Sequence, residues 1–156
     1  DEGQGMIIVD TGPFVALFDK DDQHHDLCKK TLREIKEPLI TNCAVLTETM
    51  YLLSFSLKAQ ELFLDFLQMA GIISRNIDSE FIPRIRQLLH KYEDLPIDFT
   101  DASLVALAEA ENIRTIFTLD HRHFSVYAPK HAGRFSLIPS VVKKTKPVST
   151  AFCIRS

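Results

Sequence analysis

Four acids stand where a carboxylate needs an explanation. Asp10 closes the apolar run Met6-Ile7-Ile8-Val9 and is followed by Thr11-Gly12, and Asp120 closes a second run, Ile116-Phe117-Thr118-Leu119. Glu48 and Asp101 fall inside helical patterns. A helix brings residues three and four apart together, which surrounds Glu48 with Ala44, Val45, Tyr51 and Leu52 and sets Leu104 and Val105 beside Asp101. An inward-facing carboxylate is costly unless something cationic lies opposite, and four converging ones repel. A hard divalent cation with oxygen ligands resolves both problems. The chemistry suggested is metal-assisted.

The elements that would carry these acids alternate along the chain. Strand patterns cover Met6 to Val9, Pro38 to Thr41, Gly71 to Ile77, Thr115 to Leu119 and Ser136 to Ile138. Helical patterns cover Pro13 to Phe18, His24 to Ile35, Cys43 to Leu57, Lys58 to Met69, Ser79 to Tyr92 and Asp101 to Glu111. The strands around Asp10 and Asp120 are apolar at successive positions, as expected when helices cover both faces of a parallel sheet. In such sheets sites form beyond the carboxyl ends of strands, where Asp10 and Asp120 lie. Thr100 reads as the N-cap of the helix that brings Asp101 to the same crevice.

With 156 residues, 46% of them hydrophobic, the chain is expected to form one domain. A net charge of −3 argues against a strongly basic nucleic-acid coat protein, yet permits a nuclease with an acidic centre. Cys28, Cys43 and Cys153 form no CxxC pair, which excludes a zinc ribbon or disulfide framework and fits a reducing cytoplasm. No stretch reaches the roughly 18 apolar residues of a membrane span. Residues 1–5 read as a vector-derived remnant before Met6, and residues 143–156 as a polar, basic tail.

Taken in order, Asp10, Glu48, Asp101 and Asp120 resemble the acidic set of the PIN-domain ribonucleases, including the VapC-type toxins of toxin–antitoxin pairs. The matching pieces are Ile-Ile-Val-Asp-Thr-Gly-Pro-Phe-Val-Ala-Leu-Phe-Asp at 7 to 19, Leu-Thr-Glu at 46 to 48, Asp-Phe-Thr-Asp-Ala-Ser-Leu-Val-Ala-Leu-Ala at 98 to 108, and Thr-Leu-Asp-His-Arg-His-Phe at 118 to 124. The resemblance runs from Met6 to about Val142 and defines a nuclease domain over 6–142. It implies a three-layer α/β/α fold with a central parallel sheet of about five strands. It also implies a site that binds Mg²⁺ or Mn²⁺ and hydrolyses RNA phosphodiesters. Asp10 and Asp101 would be the main ligands, with Glu48 and Asp120 completing the set. Thr11 and Thr118 would orient a carboxylate or a water, and Asp98 would enter the outer shell or close the preceding loop. Arg122 is the candidate phosphate contact. A small antitoxin and a homodimer are the partners the family implies. The long segment between Glu48 and Asp101 and the tail after Val142 depart from compact toxins.

Other readings compete. Asp19, Asp21, Asp22, His24 and His25 imitate a metal cluster, but a helix start capped by Asp21 or Asp22 accounts for them. Asp10-Thr11-Gly12 also occurs in aspartic proteases, which are built of strands; a haloacid-dehalogenase-type phosphatase needs a second Asp where Gly12 stands. The eleven Phe residues, Phe124 among them, read as core, as do Cys28 and Cys43. A PIN scaffold that binds RNA or protein with a weak site is the alternative to an enzyme.

Overall fold

A computed structural model describes residues 5–142. Its centre is a five-stranded sheet in the order β3-β2-β1-β4-β5, with every neighbouring pair parallel. The strands are β1 (Ile7–Val9), β2 (Leu39–Asn42), β3 (Ile73–Arg75), β4 (Thr115–Phe117) and β5 (Ser136–Ile138). All three residues of β1 are buried, because helices cover both faces of the sheet. The expected three-layer α/β/α architecture is therefore present.

The helices are α1 (Thr11–Phe18), α2 (His25–Glu34), α3 (Cys43–Leu52), α4 (Leu57–Met69), α5 (Ile82–Lys91), α6 (Phe99–Glu111) and the short α7 (His121–Phe124). A 3-10 turn, Ser79–Phe81, leads into α5. Side chains at the ends explain where the sequence patterns and the elements part. The patterns merged α3 with the turn after it, but Ser56 accepts the Ala59 N–H and starts α4 afresh, so α3 stops at Leu52. Gly71, at φ +62°, ends α4, and Ile72 N–H returns to Leu67 C=O, which leaves only Ile73–Arg75 for β3. Asn112 closes α6 in the left-handed region at φ 54°. The tail over 143–156 and residues 1–4 lie outside the described residues.

Aromatic packing joins helices across the surface of the sheet. Phe63 of α4 meets Phe14 and Phe18 of α1 edge-on at centroid distances of 5.1 and 5.6 Å, contacts worth about 0.5–1.5 kcal/mol each beyond their area. On the other side, Arg84 of α5 makes a two-pronged bond to Glu109 of α6, at 2.8 and 2.9 Å. Cys28 is buried, where burial pushes its thiol up to about 12, whereas Cys43 is exposed at the start of α3, contrary to the core role expected for it.

Candidate active site

The sheet order puts β1 between β2 and β4, so the chain leaves the sheet in opposite directions on the two sides of β1 and opens a crevice at the carboxyl ends. Asp10 follows β1 and Asp120 follows β4 after Thr118-Leu119. Gly12 lets α1 pack close beside that loop: a Cβ there would stand 3.4 Å from the Leu119 Cβ.

Asp10 is nearly enclosed, at 8% exposure. One carboxylate oxygen accepts the Thr11 N–H at 2.8 Å and the other accepts the Thr118 hydroxyl at 2.9 Å. Thr118 in turn accepts the Asp120 N–H at 3.0 Å, so one buried hydroxyl ties the two strand-end acids together. Asp10 caps α1 by accepting the Thr11 backbone N–H, while the Thr11 hydroxyl is buried without a hydrogen-bond partner among the described residues.

Glu48 is half-buried on α3 and accepts the Thr100 hydroxyl at 2.8 Å. Thr100 is thus not the cap of α6. Asp98 is: it accepts the Asp101 N–H at 2.8 Å, starts the helix at Phe99, and fixes Asp101 in the first turn. A second link holds α3 to α6. Asn42 caps α3 by accepting the Val45 N–H and donates to the Ser103 hydroxyl at 2.9 Å, and Ser103 donates to Thr100 C=O. Two helices far apart in the chain are joined at the turns that carry Glu48 and Asp101.

Electrostatics register the crowding. Burial, and then the neighbouring charges of Glu48 and Asp120, raise the Asp10 carboxyl to about 6. Asp101 goes further, to about 8, through burial first and then Asp10, Asp98 and Asp120. Asp10 and Asp101 therefore each lie within reach of the charge of other acids of the set. Among the described residues, however, no three His, Cys, Asp or Glu side chains are gathered closely enough to hold an ion as they stand, here or at Asp19 to His25. At the latter, Asp19 and Asp22 accept the N–H groups of Asp21 and His24 and tie the turn before α2, which begins at His25.

A PIN-domain family model matches residues 7–129. The chain belongs to the PIN-domain family. It is 30% identical over 135 residues to Ribonuclease VapC26 of Mycobacterium tuberculosis, covering 85% of this chain and all of that protein. The fold is similar to that of Mycobacterium tuberculosis VapC20, described as a sarcin-ricin loop cleaving toxin, with a TM-score of 0.65 at 20% identity over 70% of this chain and 86% of that one. It is also similar to a toxin–antitoxin complex from Klebsiella pneumoniae, with a TM-score of 0.60 at 18% identity over 77% of this chain and 91% of that one.

Two partners of the acids in this PIN domain escaped the sequence patterns. The buried Tyr127 hydroxyl donates to Asp101 at 3.1 Å, its ring held by Tyr92 and Phe124 at centroid distances of 5.1 and 5.2 Å. Burial and the charge of Asp101 push the Tyr127 phenol well above its usual range, so it stays a proton donor. His123 sits with Nδ1 2.9 and 2.8 Å from the two Asp120 oxygens. Its ring is held against that acid. The only advance signal for it was an Asp followed by His three residues on, the spacing of one helical turn. Arg122 is exposed, and Phe124 is buried in the core as expected.

Proposed function

We propose that this PIN domain is a divalent-metal-dependent endoribonuclease and the toxin of a toxin–antitoxin pair. One observation carries the reading: four acids from four separate elements stand at the carboxyl ends of the strands, close enough that Glu48 and Asp120 raise the Asp10 carboxyl, and Asp10 and Asp120 raise that of Asp101. The 30% identity to a protein named a ribonuclease supports it. The donor chemistry fits Mg²⁺ or Mn²⁺, since the set is hard oxygen throughout, two of its carboxyls are held up by burial and repulsion, and the buried Thr11 hydroxyl lacks a partner. Asp10 and Asp101 are assigned as the main ligands, and Glu48 and Asp120 complete the set by side-chain rotation. A bound ion would supply an acidified water and neutralise charge developing on the phosphate.

The protein's own residues do the positioning. Thr118 fixes Asp10 relative to Asp120, Tyr127 and the Asp98 cap fix Asp101, Thr100 fixes Glu48, and His123 fixes Asp120. Asp98 acts through this cap. Arg122, exposed beside Asp120, is assigned to the RNA phosphate.

An antitoxin partner is supported by the neighbouring toxin–antitoxin complexes and by a groove of about 550 Å³ between α1, α2 and α4, whose apolar lining includes Leu17, Phe18, Leu32, Phe55 and Leu62. A homodimer is also proposed, with the exposed apolar residues Leu64 and Met69 of α4 as candidates for its interface. Among the described residues no helix is long and apolar enough to cross a membrane. An RNA substrate assigns the enzyme to the cytoplasm, and the proposed nuclease domain is 6–142.

The test is cleavage of a mixed-sequence RNA with Mn²⁺, Mg²⁺ or EDTA, by this chain and by Asp101→Asn. Metal-dependent cutting lost in the variant is expected. Cutting in EDTA, or an unimpaired variant, would overturn the site. No cutting in any metal by folded protein would favour a scaffold that binds RNA or protein.

A further inference from the structure

Beside Glu48 lies an open recess of about 560 Å³ at the junction of α3 and α6, within the ~300–1,000 Å³ range of small-ligand clefts. Tyr51 and Phe99 line it, together with Ile77, Thr47, Glu48 and Thr100. Phe99 is 46% exposed and Tyr51 59% exposed, while most phenylalanines of the domain belong to the core. We propose that this recess stacks a nucleobase of single-stranded RNA next to the acidic crevice, with Phe99 as the principal platform. The proposal rests on the ribonuclease reading above.

Three observations lead there. The recess is continuous with the candidate site, because Glu48 lines both and Thr100, the residue after Phe99, donates its hydroxyl to Glu48 at 2.8 Å. Glu48 is also the only charged side chain among the described residues lining it, so the recess repels phosphate and suits an apolar, flat group. Finally, Phe99 is the first residue of α6, directly after the Asp98 cap, so its backbone is held on a rigid element. A crevice of four acids attracts a polyanion poorly. Stacking supplies affinity that carries no charge and tolerates any base, since each has a π-face. An exposed phenylalanine beside such a crevice answers that need, and the structure thereby qualifies the expectation that the phenylalanines serve only the core.

The experiment uses the full chain in Mn²⁺ with single-stranded RNA, comparing the parent with Phe99→Ala, Phe99→Trp and Tyr51→Ala, each checked by thermal melting. In parallel, binding of a 2-aminopurine-labelled RNA is followed by fluorescence in an Asp101→Asn background. Phe99→Ala should raise KM between about five- and 150-fold, the loss of one base–aromatic stack, with kcat within about twofold. Phe99→Trp should restore KM, and the 2-aminopurine quench should vanish only in the alanine variants. An unchanged KM with an unchanged quench would overturn the proposal and leave the recess to a protein partner. A fall in kcat alone would also overturn it, assigning Phe99 to the packing of Thr100 and Glu48. Failure of the parent to cut RNA would sink the ribonuclease reading instead, and the quench would still decide whether a base stacks here.

Discussion

Asp101→Asn should make the metal-free protein more stable at neutral pH although it removes a proposed ligand. The folded-state carboxyl sits at about 8 and its unfolded value is 3.8. Between those values the unfolded chain has released a proton that the folded chain retains, so stability is fully present below 3.8 and is lost as pH rises toward about 8. Each pH unit in that window costs about 1.4 kcal/mol. At pH 7 the ceiling is about 4 kcal/mol, and because the repulsion is shared with Asp10 and Asp101 is partly exposed, about 2–3 kcal/mol is the working figure. Asn is neutral at every pH, has nearly the same shape and can still accept from Tyr127. Urea denaturation in EDTA at pH steps from 4 to 8.5 measures the effect. The parent should lose stability with rising pH more steeply than the variant, the curves meeting near pH 4, with a melting temperature about 5–10 °C higher for the variant at pH 7. Adding Mn²⁺ should then stabilise the parent more than the variant. Parallel pH curves, or a variant less stable at pH 7, would refute the argument that burial and repulsion hold Asp101 protonated.

Other perturbations follow from the same geometry. Tyr127→Phe keeps the ring contacts with Tyr92 and Phe124 but removes the donor to Asp101; cleavage in saturating Mn²⁺ should fall about 10- to 100-fold, with stability changed by about 1 kcal/mol in chemical denaturation. Thr118→Val breaks the bridge between Asp10 and Asp120 inside the core and should cost about 1–3 kcal/mol by the same assay, along with most of the cleavage. Arg122→Ala should raise KM for RNA and flatten its salt dependence with kcat and melting temperature unchanged; a fall in kcat alone would remove it from the phosphate. Asp98→Ala should cost about 1 kcal/mol through the lost cap of α6, and Asp98→Ser should recover most of it, as thermal melting will show.

The chain by itself determined the class of fold. Uninterrupted apolar strands alternating with amphipathic helices are stable only as a covered parallel sheet, and Ile7, Ile8 and Val9 are buried for that reason. It also marked the acids, because a carboxylate closing a strand or set among apolar helical neighbours is conspicuous in one dimension. Caps are less legible in the sequence. Ser56 and Asp98 have the right side chains, yet whether a hydroxyl or carboxylate starts a helix or faces a neighbour depends on what lies across from it. Thr100 shows this: it has the chemistry of a cap, and the approach of α3 turned its hydroxyl to Glu48, 52 positions earlier. Tyr127 and Asp101 are 26 positions apart, and Thr118 and Asp10 are 108 apart. No local period links such pairs. Their meeting comes from the strand order, which puts β4 beside β1, and from helix packing, which brings α3 to α6. The sequence carried the donors and acceptors. Tertiary structure decided which of them share a low-dielectric crevice, and so which carboxyls are raised, which ring stays buried against an acid, and which phenylalanines are left facing solvent.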